Sequence, residues 1–403
     1  MRILVDHSGY ALLNVGDISM LQACVRRLQT RWPDAAIEVI TESPDRLARY
    51  CPGTTAVTAT FAGRRQLSKV PLRAQRAGEQ LWKMAAPLLC GSGVRHVPDA
   101  QPRLLPAIRR ADVVVASGGG FINDVFWWHG AGVLSVLAMA QRLGKPTAMF
   151  GQGFGPLTNP VLKQLLRRVA PRLDVIGLRE GVASVPIVAA NAVDAGRVCV
   201  TGDDALLVAA AATRPPTGDA IGVNIRIAAY SGVAEDTGRD VVDVVDTVSR
   251  ARGVCTVALP VEYNHAASDL RITGDGGDPS GQFRTAESLI RRAAGCRAVV
   301  TGSYHAAVFG LAAGVPAVCV TNSAYYDGKF QGLAALFPGG CHIVRTGPKM
   351  AGDIAHALND SWDTTESVRD ALHARALAQV ASAEALYQQF GAVVDDSRSM
   401  ARR

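Results

Sequence analysis

Short apolar runs alternate with helical patterns along almost the whole chain, and this alternation restricts the fold more than any other feature. "RILVDH" (2–7), "AIEVIT" (36–41), "DVVVAS" (112–117), "PTAMFG" (146–151), "LDVIGLR" (173–179) and "RVCVTG" (197–202) read as strands, with helical patterns near 17–32, 130–143, 159–170 and 180–191. Runs that are apolar on both faces and separated by helices specify parallel strands buried on each side. At 213–219 "TRPPTGD" interrupts the series with two prolines and a glycine, as a linker does. It then resumes with "AIGVNIRI" (220–227), "VCTVALPV" (254–261), "RAVVTGS" (297–303), "PAVCVTN" (316–322) and "CHIVRTG" (341–347), with helices near 240–252, 285–295 and 305–314. A helical tail follows over roughly 350–395. At 403 residues the chain also exceeds what one core covers. The expected fold is α/β, with two doubly wound, Rossmann-like parallel sheets facing a central cleft. The expected domains are 1–213, 219–347 and a helical tail at 348–403.

Composition narrows the class. A chain 48% hydrophobic and 19% charged is globular. No apolar run reaches bilayer length, and the start lacks a signal peptide's apolar centre, so a cytoplasmic location is expected. The eight cysteines (24, 51, 90, 199, 255, 296, 319 and 341) form no C-x-x-C and no cluster with histidine. They read as small core residues, Cys255 and Cys319 inside buried strands, and no metal is expected. The net charge of +7 is concentrated in 61–110, where ten Lys/Arg face only Glu79 and Asp99. That stretch reads either as a solvated basic face or as a contact to an anionic membrane at the inner face. Few aromatics interleave with its charges, so nucleic acid is not an expected partner.

Doubly wound sheets bind ligands beyond the carboxyl ends of their strands, and polar residues collect there. "NVGDISML" (14–21) offers Asn14 and Asp17 at a strand–helix junction, where the alternative is ordinary capping. "SGGGFINDVFWWHG" (117–130) brings Gly118, Gly119 and Gly120, then Asn123 and Asp124, with Trp127 and Trp128 available to wall a sugar-sized pocket. It fits neither the dinucleotide fingerprint nor the P-loop. "GQGFGP" (151–156) adds Gln152, "LRE" (178–180) adds Arg179, and "VTGDDAL" (200–206) adds Asp203 and Asp204, one of which a helix cap explains. In the second half "VNIR" ends in Arg226, "TGSYH" carries Ser303 and His305, and "NSAYYDGKF" (322–330) carries Tyr325, Tyr326 and Lys329. Arginine at a strand end suits carboxylate or phosphate, and a histidine beside it suits proton transfer.

In this order the motifs resemble the polysaccharide pyruvyl transferase family: "NVGDISML", "SGGGFIND", "GQGFGP", "RE" followed by Ser184, "TGDDAL", "VNIR", "GSYHAAVFGLAAGVPAV" and "YYDGKF", over about residues 3–335. The resemblance implies a fold similar to the GT-B glycosyltransferases. It also implies transfer of a pyruvyl ketal from phosphoenolpyruvate, as co-substrate and without a cofactor, to a saccharide or lipid-linked saccharide. By the same resemblance His305 is the proton donor, with Asp17 or Asp124 acting on the acceptor. Arg226, Ser303, Lys329 and Arg179 take the donor side, and Asn14, Gly118, Gly119, Gly120, Asn123 and Gln152 take the acceptor side. The family usually reads Arg-x-His where this chain reads Ser303-Tyr304-His305, so another cation must supply that charge or the donor differs. Two alternatives stand beside this reading: a nucleotide-sugar glycosyltransferase, and a non-catalytic relative that binds glycan or phosphate.

Overall fold

The computed structural model describes residues 1–58, 104–212, 215–263, 269 and 285–401. Residues 61–103, including most of the basic stretch, its apolar segment 81–94 and Cys90, lie outside the described residues, as do 213–214 of the linker. The remaining end of that stretch is the helix Leu104–Arg110, where the Arg110 guanidinium pairs with buried Glu38 at 3.0 Å. Among the described residues no helix is long and apolar enough to cross a membrane.

Two wholly parallel sheets form the frame. The first contains β1 (Arg2–Asp6), β2 (Ala36–Thr41), β3 (Thr55–Thr58), β4 (Val113–Ala116), β5 (Gly119–Ile122), β6 (Thr147–Phe154), β7 (Val175–Leu178) and β8 (Val198–Val200). Its order is β3-β2-β1-β4-β6-β7-β8, with β5 paired to β6. The second contains β9 (Ala220–Asn224), β10 (Thr256–Ala258), β11 (Cys296–Thr301), β12 (Ala317–Thr321) and β13 (Cys341–Arg345), in the order β10-β9-β11-β12-β13. Strand order reverses between β1 and β4 in the first lobe and between β9 and β11 in the second. These are the switch points where crevices open in such sheets.

Six helices matter for the site: α1 (Val15–Arg31), α2 (Trp127–Arg142), α3 (Leu206–Ala210), α4 (Tyr304–Ala312), α5 (Ala324–Leu336) and α6 (Met350–Ala401). Helix α4, "YHAAVFGLA", is buried at every position, as expected of a helix without a polar face. It belongs to a core cluster that crosses between the lobes, joining Val15, Met20 and Leu206 to Leu289, Ile290 and Phe309. Small residues let it sit this close; at Gly310 a Cβ would already be 3.3 Å from the Val315 carbonyl oxygen.

The segment expected as a tail is one helix of 52 residues that enters both lobes. Ile354 and Leu358 pack in the second lobe, Leu372 and Ala376 in the crossing cluster, and Leu386, Tyr387 and Phe390 in the first lobe. The Tyr387 ring stacks on Phe150 at 3.7 Å. Two strands escaped sequence reading: β5 is glycine-rich, and β3, "TAVT", lacks a continuous apolar run. Cys255 is exposed, against expectation: it precedes β10, an edge strand whose first residue, Thr256, is exposed as well. Cys24, Cys51, Cys296 and Cys319 are buried free thiols.

Removing a large ring from α6 tests whether it belongs to the first lobe's core. Phe390→Ala is expected to cost about 3–5 kcal/mol of stability in denaturant titration. An unchanged midpoint would show that this end of the helix merely lies alongside.

Candidate active site

A cavity of about 260 Å³ opens between the lobes at the two switch points. The first lobe contributes Ser8, Asn14 and Asp17 from beyond β1, Gly120 from β5 and Arg179 from the end of β7. The second contributes Arg226 and Tyr230 from beyond β9, Glu262 from beyond β10, and Ser303 and His305 at the start of α4. Tyr325 and Lys329 project from α5.

His305 is held between the lobes. Its ring lies directly over Gly16 in the first turn of α1, where a Cβ would be 2.0 Å from Nδ1. Its other nitrogen, Nε2, is 3.6 Å from Asp203 Oδ2, and the same oxygen is 3.0 Å from Arg179 Nε. Burial by itself raises the Asp203 carboxyl, but Arg179 and then His305 outweigh it and hold it down at about 2. Asp203 is therefore a fixed anion behind the cavity. Its neighbour Asp204 turns the other way, to Arg27 Nη1 at 2.7 Å, and burial pushes it up to about 6 despite that cation.

Asn14 is consumed structurally. Its Oδ1 accepts the Gly16 and Asp17 amides, and its Nδ2 donates to Glu262 Oε2 at 2.9 Å. The Val15 amide donates to the Val261 carbonyl and the Tyr263 amide to the Leu13 carbonyl, stitching the lobes together. The first amides of α1 are thus spoken for, so Asn14 serves as an ordinary helix cap and this helix start offers no anion site. Helix α4 differs, because Ser303 precedes it without capping it.

Asp17 faces the cavity, with Ser8 Oγ donating to its Oδ1 at 2.8 Å. Behind it Asp6 accepts from Tyr10 Oη at 2.6 Å, and burial pushes its carboxyl up to about 6 against the lowering by Tyr10 and the His7 amide. Burial also takes His7 down to about 4, with Asp17 opposing.

Three cations reach the cavity, and they are not equivalent. Arg226 is gripped by the enclosed Asp269, Nε to Oδ1 at 2.5 Å and Nη2 to Oδ2 at 3.2 Å. It also touches Tyr230 Oη at 3.0 Å and Ser303 Oγ at 3.4 Å. Arg179 is paired with Asp203. Lys329 donates to Tyr325 Oη and sits 4.0 Å from that ring's centroid; among the described residues no carboxylate pairs with it. Burial, reinforced by Arg179, drives Lys329 well below the usual lysine range, and Asp17 and Asp203 offset this only in part. Arg179 Nη1 and Lys329 Nζ converge on Gly120, where a Cβ would come within 3.2 and 3.0 Å of them. A guanidinium and an amine meeting over a bare glycine leave a place for an anion, which would favour the amine's protonated form.

Other sequence candidates lie elsewhere. Asp124 accepts from Thr158 and from the Asn159 amide at 2.8 Å, so it pins that loop and does not line the cavity. Asn123 bonds the Gly120 carbonyl and the Phe126 amide, and Gln152 donates to the Ser117 carbonyl; both are fully buried supports. Gly118 and Gly119 face Met20 and Phe121 behind the wall, leaving Gly120 alone of the three at the cavity. Trp127 and Trp128 stack on each other at 3.7 Å, while their neighbours Phe126 and His129 line the cavity. Sequence reasoning missed Ser8, Glu262 and Asp269. The first two stand just past strand ends and were legible as such, whereas nothing near Asp269 in "SDLRIT" marks it.

A family model described as polysaccharide pyruvyl transferase matches residues 14–324. No match to the chain is found among curated proteins. Among solved structures the chain is similar to a UDP-glucosyltransferase from Polygonum tinctorium capable of glucosylating indoxyl, at 12% identity over 98% of each chain and a TM-score of 0.58. It is also similar to the calicheamicin glycosyltransferase, at 14% identity over 97% of this chain and 98% of that one, TM-score 0.55. A UGT transferase from Siraitia grosvenorii in complex with UDP aligns at 13% identity over 98% and 99%, TM-score 0.52. At such identities the likeness is one of fold, and that fold is GT-B.

The Gly16 contact makes a prediction of unusual sign. Gly→Ala inside a helix ordinarily stabilises by about 0.5–1 kcal/mol. Gly16→Ala is expected instead to destabilise by about 1–3 kcal/mol, because His305 must move. Denaturant titration decides it, and a stabilised variant would mean that the ring does not rest on Gly16.

Proposed function

The chain belongs to the polysaccharide pyruvyl transferase family, and from that premise we propose that it moves the three-carbon unit of phosphoenolpyruvate onto two hydroxyls of a sugar as a pyruvyl ketal. The observation that carries this reading is the pairing of Lys329, without a carboxylate of its own among the described residues, with Arg179 over Gly120. A small molecule bearing both a carboxylate and a phosphate satisfies two such nitrogens and the nearby Arg226. The cavity, at about 260 Å³, is below the about 300–1,000 Å³ common for drug-sized ligands, which also favours a compact donor. Ser303 leaves Arg226 uncrowded, and Arg179 with Lys329 supplies the charge that an arginine at 303 would bring.

In this mechanism protonated His305 delivers its proton to the methylene carbon, making it a methyl group and leaving the adjacent carbon electron-poor. A sugar hydroxyl attacks that carbon and gives its proton to Asp17. Phosphate departs with the electron pair of the broken C–O bond and takes the proton from Asp17, so it leaves as hydrogen phosphate held by Arg179 and Lys329. The second hydroxyl then closes the ketal and returns a proton to His305. The acceptor is a saccharide or lipid-linked saccharide held on the Asp17, Phe126 and Tyr230 side, and phosphoenolpyruvate is the co-substrate. Asp124, bound to the Thr158 and Asn159 amides, takes no part.

A nucleotide-sugar glycosyltransferase is the second reading. It draws on the uncapped start of α4 at the cavity, since free helix amides suit a diphosphate.

Thermal unfolding with phosphoenolpyruvate, and separately with UDP, GDP and CMP, tests the two. Phosphoenolpyruvate is expected to raise the midpoint in a concentration-dependent way, equivalent to about 2.7 kcal/mol at a hundredfold excess over Kd. Lys329→Met should abolish the effect, and it strands no buried carboxylate as an Arg226 or Arg179 variant would. Stabilisation by a nucleotide alone would replace pyruvyl transfer with glycosyl transfer, and binding of glycan without turnover would leave a non-catalytic relative. The pH dependence follows from Lys329. An anion bound there favours the ammonium, so binding takes up a proton when the free amine is neutral. Affinity is therefore greatest below the lysine's depressed pKa and falls as pH rises through it. Calorimetry in two buffers of different protonation enthalpy should register this uptake, and Lys329→Met should lose it.

A further inference from the structure

We propose that Asp203 is the positioning residue of this site: one of its oxygens, Oδ2, both orients His305 for proton exchange at Nδ1 and turns the Arg179 fork toward the anion. Oδ1 is already committed, accepting the Ala205 amide at 2.8 Å where the chain enters α3. Oδ2 remains, 3.0 Å from Arg179 Nε and 3.6 Å from His305 Nε2. All three of these atoms are shielded from solvent and none has a hydrogen-bond partner of good geometry elsewhere. A closer approach of about 0.5 Å brings the imidazole into bonding range.

The surroundings leave Asp203 as the group that selects a ring orientation. Gly16 of α1 offers the ring no side chain. Tyr304 and Phe309, on the ring's own helix, present aromatic rings with centroids at 5.5 and 6.3 Å. Asp17 from α1 and Lys329 from α5 face the same cavity, on the open side. Nε2 is enclosed against Asp203, so its hydrogen points to the carboxylate and Nδ1 is the nitrogen left to exchange a proton with a ligand. The same contact fixes the arginine. With Nε drawn to Asp203, Nη1 extends over Gly120 beside Lys329. One carboxylate therefore sets the spacing between the proton donor and the anion cradle.

The inference rests on the pyruvyl-transfer reading only for its kinetic consequence; the ring geometry is measurable without substrate. In wild-type protein labelled with ¹⁵N histidine, the neutral ring of His305, identified by the signals lost in His305→Gln, is expected as the Nε2–H tautomer. In Asp203→Asn that preference should weaken, kcat should fall by at least about 100-fold, and Lys329 should still bind phosphoenolpyruvate. A wild-type ring found as the Nδ1–H tautomer overturns the proposal even if Asp203→Asn fails to fold. So does an Asp203→Asn enzyme with unchanged kcat. If phosphoenolpyruvate neither binds nor reacts while the tautomer is as expected, the reading of the donor fails and the role of Asp203 stands.

Discussion

The approach of His305 to Gly16 is the contact on which the site depends. It joins the first turn of α1, in one lobe, to the first turn of α4, in the other, with no side chain between ring and backbone. Everything that positions these two turns serves that contact. The interlobe core of Val15, Met20 and Leu206 against Leu289, Ile290 and Phe309 brings the helices together. Asn14 fixes the start of α1 and ties it to Glu262. The small residues of α4 allow the depth of insertion. A histidine on a small-residue helix is thus explained by geometry before any chemistry is assigned.

Electrostatics then differentiates the cavity. Two buried arginines each have a buried carboxylate, Arg179 with Asp203 and Arg226 with Asp269. Pairing of this kind limits the desolvation cost of keeping guanidinium groups inside and orients them, but spends much of their charge. Lys329, shielded by Tyr325 and adjacent to Arg179, is left to a ligand. The wall is consequently more receptive to anions at the Gly120 end than at Arg226. Aromatic rings (Phe126, Tyr230 and Tyr325) contact one another edge to face along the opposite wall of the cavity, giving it an apolar surface.

Much of this was legible in sequence, for physical reasons that also mark the limits. Strand ends could be read because parallel strands buried on both faces leave continuous apolar runs, and Arg179, Arg226, Ser303 and His305 stand immediately after such runs. Asp17 was legible differently, as the carboxylate in the first turn of the helix that follows β1. What local sequence does not carry is direction. Asp124 and Asn123 have the residue types of a binding loop, yet their oxygens are turned to the backbone amides of Thr158 and Phe126. Asp203 and Asp204 are adjacent and chemically identical, and only the packing of α1 and α6 sends one to His305 and the other to Arg27. Asp269 pairs with an arginine 43 residues away, a relation no spacing rule expresses.

Helix α6 bears on how such a cleft keeps its dimensions. A two-lobed fold joined only by a linker would leave the distance between Gly16 and His305 to a flexible segment. Here a continuous helix, about 78 Å long at 1.5 Å per residue, runs from Ile354 in the second lobe to Phe390 in the first. Where it passes the crossing cluster, its side chains fill places that glycines leave: a Cβ at Gly340 would meet Leu372, and one at Gly314 would meet Arg369. Arg369 and Leu372 face the second lobe, Gln379 presses on Gly202 just before the Asp203–Asp204 pair, and Tyr387 stacks on Phe150. The strap therefore contacts the backbone next to Asp203 directly. The carboxylate that faces His305 is held from behind by the same helix that fixes how far apart the lobes stand.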